Sequence, residues 1–132
     1  MRKNSKQTLR DILGIKAGMR IYMQHVPADV LHELRDLEDS TSTVHDPALA
    51  NFFLYFVSTK PQLFNIAEKL QHLGAPSQLI WVCWPKKVSS SSHHVIDQDL
   101  RDALLPIGLV DSRRFDISKH HAAMKFVWRQ MQ

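Results

Sequence analysis

The sequence predicts an α/β fold, a small three-layer sandwich whose sheet is mostly parallel and closes on a C-terminal antiparallel hairpin strand. Two continuous apolar runs, Asn51–Val57 (NFFLYFV) and Gln78–Trp84 (QLIWVCW), read as strands buried on both faces. Segments with helical apolar spacing separate the strands, and that alternation implies parallel pairing through right-handed crossovers. Near the end, Met124, Phe126 and Trp128 alternate with Lys125, Val127 and Arg129, the period of a strand with two unlike faces.

Taken in order, Thr8–Leu13 predicts a short helix stopped near Gly14 and Gly18, and Arg20–Val26 a first strand. Pro27 suits the first turn of a helix carrying Val30, Leu31, Leu34 and Leu37, with Asp29 near its positive end. The polar stretch Glu38–Pro47 has room for a stub of strand around Thr43–His45. After the strand Asn51–Val57, Thr59 and Gln62 have capping-box spacing. The helix they open lines up Leu63, Ile66, Ala67, Leu70 and Leu73 and ends at Gly74. Beyond Gln78–Trp84 comes a polar loop with a serine run, and then a helix capped by Asp97 that buries Leu100, Ala103, Leu104 and Ile107. Leu109–Ile117 is a strand, Ser118–His121 a turn and Ala123–Arg129 the last strand. Phe53, Leu54, Phe56, Ile80, Val82, Leu70 and Leu104 are the expected core.

The 132 residues fit a single domain over 1–132, with residues 1–7 as a flexible basic tail. A chain of this size buries roughly two-thirds of its unfolded surface and needs no covalent staple. One cysteine, Cys83, rules out an internal disulfide and fits a reducing, cytoplasmic setting. It reads as a buried inert thiol, and Trp81, Trp84 and Trp128 as core or sheet-edge residues. No apolar run approaches the roughly 20 residues needed to span a bilayer, so no membrane association is expected. The net charge of +4 and pI of 9.4 favour an anionic small molecule or an acidic or nucleic-acid partner. Self-association as a homodimer stays open.

Several blocks in order carry a resemblance: LGIKAGMRI (Leu13–Ile21), LIWVCWPKK (Leu79–Lys87), the Asp97–Asp111 run and KFVWR (Lys125–Arg129). Together they resemble a family of short, uncharacterised bacterial proteins with a degenerate, Rossmann-like S-adenosylmethionine methyltransferase fold. The chain departs from that pattern where Ala17 replaces a proline, Trp84 a tyrosine, and His120 and His121 a tryptophan. The resemblance implies the fold and leaves the activity open.

Methyl-donor sites need small residues after the first strand, so that backbone and helix end can approach the ligand. Here the connection reads Gln24-His25-Val26-Pro27-Ala28-Asp29, without glycine. The reading is therefore that no cofactor is held and methyltransferase activity is lost. Asp46 stands where a ribose-binding acid would be, although an aspartate before proline also reads as a turn residue.

Ligands of open α/β sheets bind beyond the carboxyl ends of the strands. The loops there contribute His25, Ser58, Thr59, Lys60, Lys86, Lys87, Ser89, Ser90, Ser91, Ser92, His93 and His94, with Asp29 as the only acid. Lysines, hydroxyls and free N–H groups at the helix start after Thr59 would suit a phosphate or carboxylate. Lys60 and Lys86, on neighbouring strands, are expected to converge. Adjacent pairs such as His93-His94 and His120-His121 rarely chelate one ion, so no metal is expected. The function this supports is a non-enzymatic protein recognising an anion or macromolecule through a basic loop face. The alternative is a small enzyme acting on a phosphorylated or nucleotide substrate with His25, His93 or His94 as acid or base.

Overall fold

The computed structural model describes residues 8–35, 40–73, 78–86 and 95–129. The expected basic tail, Leu37, the helix end at Gly74, and Lys87, Ser89–Ser92, His93 and His94 lie outside them. In chain order the elements are α1 (Leu9–Leu13), β1 (Arg20–Gln24), α2 (Ala28–Glu33), β2 (Ser42–Thr43), β3 (Phe52–Phe56), α3 (Lys60–Leu70), β4 (Leu79–Pro85), α4 (Asp97–Leu104), β5 (Leu109–Asp116) and β6 (His121–Trp128). Short 3₁₀ turns at Pro47–Leu49 and Leu105–Ile107 link β2 to β3 and α4 to β5.

The strands form one six-stranded sheet in the order β2-β1-β3-β4-β6-β5. β2, β1, β3 and β4 run parallel, with Met23 opposite Leu54 and Leu54 opposite Trp81. β6 returns antiparallel and inserts between β4 and β5, pairing with both. The predicted class therefore holds: a mostly parallel sheet with an antiparallel C-terminal hairpin. The stub foreseen near Thr43 is β2, which pairs with Arg20 and Ile21 of β1.

Alternation along the central strands divides the core. One face carries Phe53, Tyr55, Ile80, Val82, Trp84, Met124 and Phe126 under Leu63, Ile66 and Leu70 of α3 and Leu100 and Leu104 of α4. The opposite face carries Ile21, Phe52, Leu54, Phe56, Trp81 and Cys83 under Leu9 and Leu13 of α1 and Val30 and Leu34 at α2. Every residue of the expected core is buried. The indole N–H of Trp81 donates to the Leu13 carbonyl at 2.9 Å and pins α1 to the sheet. Gln78, a buried polar residue, is satisfied at both ends: its amide donates to the Leu73 carbonyl at 3.0 Å and its oxygen accepts from Trp128 at 2.8 Å. Among the described residues, no helix is long and apolar enough to cross a membrane.

Local chemistry sets the ends of the elements. Thr8 and Asp11 close a capping box on α1, and Gly14 ends it at φ 75°, in the left-handed region. β1 stops at Gln24 rather than Val26 because His25 turns to φ 60°. β6 begins at His121, earlier than Ala123, because its first residues pair with Trp84 and Pro85. Asp97 does not cap α4: it is the first helical residue, and Asp99 reaches back to accept from the Ile96 N–H at 3.0 Å.

Candidate functional site

β1 and β3 mark a reversal of strand order, since the chain moves from β1 outward to β2 and from β3 outward to β4 on the other side. Such a switch point opens a crevice at the carboxyl ends of the strands. A cleft of about 250 Å³ lies there, lined by His25, Pro27, Phe56, Val57, Ser58, Gln62, Pro85 and His121. β1 delivers His25, β3 delivers Phe56 through Ser58, β4 delivers Pro85 and the start of β6 delivers His121.

His25 takes the left-handed backbone that glycine adopts without strain, at a cost of roughly 1–2 kcal/mol. The tight turn after β1 is thus present even though the connection has no glycine. Asp46 caps the turn Pro47–Leu49 by accepting from the Ala48 N–H at 3.0 Å and does not line the cleft.

The expected free N–H groups at the start of α3 are largely taken. Gln62 Oε1 accepts from the Ser58 and Thr59 N–H groups at 2.7 and 3.3 Å, and Thr59 Oγ1 accepts from the Gln62 N–H at 3.3 Å. Pro61 has no N–H to offer. With Gln62 Oε1 committed, its amide Nε2–H₂ is the part left to donate into the cleft. Thr59→Ala should cost about 1 kcal/mol in urea unfolding, as lost caps do. No change in midpoint would mean the box carries no stability.

His121 is the lining residue that sequence reasoning misses, since in the sequence it stands out only as half of the pair His120-His121. Its ring packs edge-on against Phe56 with centroids 5.2 Å apart. Ser118 Oγ accepts from the His120 and His121 N–H groups at 3.2 and 3.0 Å, which occupies its lone pairs. Its own proton is then directed to His121 Nδ1, 3.3 Å away, so the neutral ring carries its proton on Nε2. Burial holds the imidazole pKa below its usual value; the Asp29 carboxylate opposes this and His120 adds to it. The site therefore presents a neutral ring donor beside an apolar wall.

That shift has a consequence for stability. As pH falls through about 6.5 the unfolded chain protonates this histidine while the folded protein does not. The unfolded state then holds the extra proton, so stability drops until the pH passes the lowered folded value. Urea melts from pH 7.5 to 5 should show a flatter profile for His121→Gln than for wild type. Superimposable profiles would contradict the burial of this ring.

Lys60 and Lys86 do not build one basic patch. Lys60 pairs with Asp99 of α4 at 3.7 Å and Lys86 with Asp116 of β5 at 3.0 Å. The expectation of Asp29 as the only nearby acid fails because α4 and β5 each bring an aspartate to this end of the sheet. Lys86 lies in a second cleft, of about 310 Å³, with Trp84, Ile96, Asp97, Arg114 and Asp116. There the Arg114 guanidinium sits 5.6 Å from the Trp84 ring centre and 3.4 Å from Asp116. Cys83 is fully buried, and burial raises its thiol pKa well above the usual range, as an inert core thiol requires.

No family model and no curated protein matches the chain. Solved structures do. A candidate type 11 methyltransferase from Sulfolobus solfataricus superposes with a TM-score of 0.58 at 13% identity, over 94% of this chain and 91% of that one. A SAM dependent methyltransferase from Aquifex aeolicus gives 0.56 at 9% identity, over 91% and 87%. The fibrillarin pre-rRNA processing protein of Methanococcus jannaschii gives 0.55 at 10% identity, over 96% and 71%. At these identities the likeness establishes the fold: a Rossmann-like, methyltransferase-like α/β sandwich. It also corrects the functional reading. Structural neighbours whose names are methyltransferases stand against the reading of a non-enzymatic binding protein, and equally against that of an enzyme of phosphorylated or nucleotide substrates with a histidine acid or base.

Proposed function

We propose that the protein is a cytoplasmic S-adenosylmethionine-dependent methyltransferase, grouped with the short bacterial family its motifs resemble, with the cleft between β1 and β3 as donor site. The observation that carries this reading is the cleft's position at the switch point of a methyltransferase-like sheet, beside a left-handed turn at the end of β1. The buried single thiol is what supports a reducing compartment.

The lining residues fit the adenosyl part of the donor. Pro27, Phe56, Val57 and Pro85 offer apolar walls for a purine. Gln62 Nε2 and His121 Nε2 offer donors, and purine ring nitrogens are acceptors. The Ser58 hydroxyl can give or take a hydrogen bond with a ribose hydroxyl. The volume lies just under the roughly 300–1,000 Å³ usual for small-molecule sites, which suits the nucleoside with the remainder of the donor at the rim. When bound, S-adenosylmethionine supplies an electrophilic methyl group on its sulfonium sulfur. The chain's own part is to hold and orient: His121, fixed by Ser118, keeps its donor in one direction, and the uncharged ring avoids repelling the sulfonium.

A thermal-shift comparison of S-adenosylhomocysteine, NAD and ATP tests this. At a hundredfold excess over Kd, a ligand specific to the folded state stabilises by about 2.7 kcal/mol. For a domain of this size that is a rise of roughly 10 °C in Tm. The rise is expected with S-adenosylhomocysteine; a rise with NAD or ATP alone would reject the reading.

A further inference from the structure

The half of the sheet formed by β6 and β5 has two unlike faces. On the α3/α4 side its acids are paired: Asp111 accepts from Arg101 at 3.3 Å, and Asp116 binds Lys86. On the α1/α2 side the strand residues are His121, Ala123, Lys125 and Val127 on β6, with Arg129 just past its end and its N–H donating to the Gly108 carbonyl, and Val110, Arg113 and Phe115 on β5. None of these is acidic. Lys125, Val127 and Phe115 are only partly buried, and Arg113 and Arg129 are exposed.

A bulge produces this segregation. Asp111 pairs with Phe126, and Arg113 with the next residue, Lys125, so Ser112 is the extra residue. The shift sets Arg113 beside Lys125, two like charges directly opposite, which is unfavourable in an empty sheet. Among the described residues neither has an acidic partner. The Arg113 guanidinium instead lies 5.7 Å from the Phe115 ring centre, and Phe115 rests against Trp81 at 5.9 Å. Arg129, Lys125 and Arg113 thus form a cationic stripe with a braced arginine-aromatic stack beside it. The stripe ends on His121, which lines the cleft. At about 3.4 Å per residue it runs roughly 27 Å.

We propose that this face binds single-stranded nucleic acid and leads it to the cleft. Phosphates meet Arg129, Lys125 and Arg113, and a base stacks on the outer plane of the Arg113 guanidinium, as unpaired bases do on arginine and aromatic side chains. A single strand fits better than a duplex, because a base can lie on the Arg113 guanidinium only when it is out of its own stack. The proposal deepens the methyltransferase reading by naming the acceptor class, and it rests on that reading for the reaction alone.

The test is fluorescence anisotropy, without donor, using a labelled 12-nucleotide RNA, the DNA of the same sequence, the RNA duplex, and phosphatidylserine vesicles as competitor. Wild type should bind a single strand more tightly than the duplex, with affinity falling as salt rises; either sugar supports the proposal. Arg113→Gln with Lys125→Gln should weaken binding at least about tenfold and lower the log–log salt slope by about 0.7 per cation removed. Arg113→Lys with Lys125→Arg should restore the slope, which separates lost charge from misfolding. Lys69→Gln, an exposed change on α3, should bind as wild type. Absent single-strand binding, equal binding by the double variant, or preference for duplex or vesicles overturns the proposal. Because S-adenosylhomocysteine binding is measured separately, such a failure leaves the donor site standing.

Discussion

Trp81→Ala should destabilise the protein by about 3–5 kcal/mol, the range for emptying a large aromatic site in a core. Trp81 is 1% exposed at the centre of β4, flanked by Leu54 on β3 and Lys125 on β6. It also donates the hydrogen bond that holds the end of α1 to the sheet. Two losses therefore combine: the cavity, and a buried Leu13 carbonyl left without its donor. Trp81→Phe separates them, because it keeps most of the ring volume and removes the N–H. That variant should lose about 1–3 kcal/mol, the cost of an unsatisfied buried polar group. Urea unfolding of both variants gives the comparison. A near-zero loss for Trp81→Phe would mean the hydrogen bond contributes nothing, and a near-zero loss for Trp81→Ala would mean α1 and β4 are not packed as described.

Phe53→Ala should have a similar effect, about 3–5 kcal/mol, from the opposite face. Phe53 is fully buried on β3, stacked on Tyr55 with centroids 6.0 Å apart and tilted against Tyr22 at 6.1 Å. Removing it opens the floor under α3, where Leu63, Ile66 and Leu70 converge. The Tyr55 hydroxyl, whose ionisation burial and then Tyr22 push to high pH, should titrate at lower pH once the space lets water in. A small loss in stability together with an unchanged tyrosine titration would place Phe53 outside the core.

The central strands were legible because burial on both faces leaves continuous apolar runs such as NFFLYFV and QLIWVCW. Helix starts were legible where the cap is a hydroxyl, as at Thr59, and misplaced where it is not: at α4 the Asp99 carboxylate reaches back to Ile96. The insertion of β6 between β4 and β5 depends on pairings between residues far apart, and alternation within one strand does not encode the neighbour. The site was half legible. His25 and Ser58 lie at the strand ends where the order of elements puts them, yet a histidine at φ 60° leaves no mark in a sequence that has no glycine at that turn. His121 could have been found by carrying the alternation of Lys125 and Val127 back past Ala123. Asp99 and Asp116 could not, because they reach the lysines only through tertiary packing.

Calorimetric titration of S-adenosylhomocysteine into wild type and Ser58→Trp tests the central claim most directly. Ser58 is exposed at the mouth of the cleft, so an indole there fills the site without disturbing the core. The account predicts one-site binding by wild type and no binding by Ser58→Trp, with the two proteins unfolding at the same urea concentration in the absence of ligand. No heat from wild type, or equal binding by both proteins, would contradict a donor site between β1 and β3.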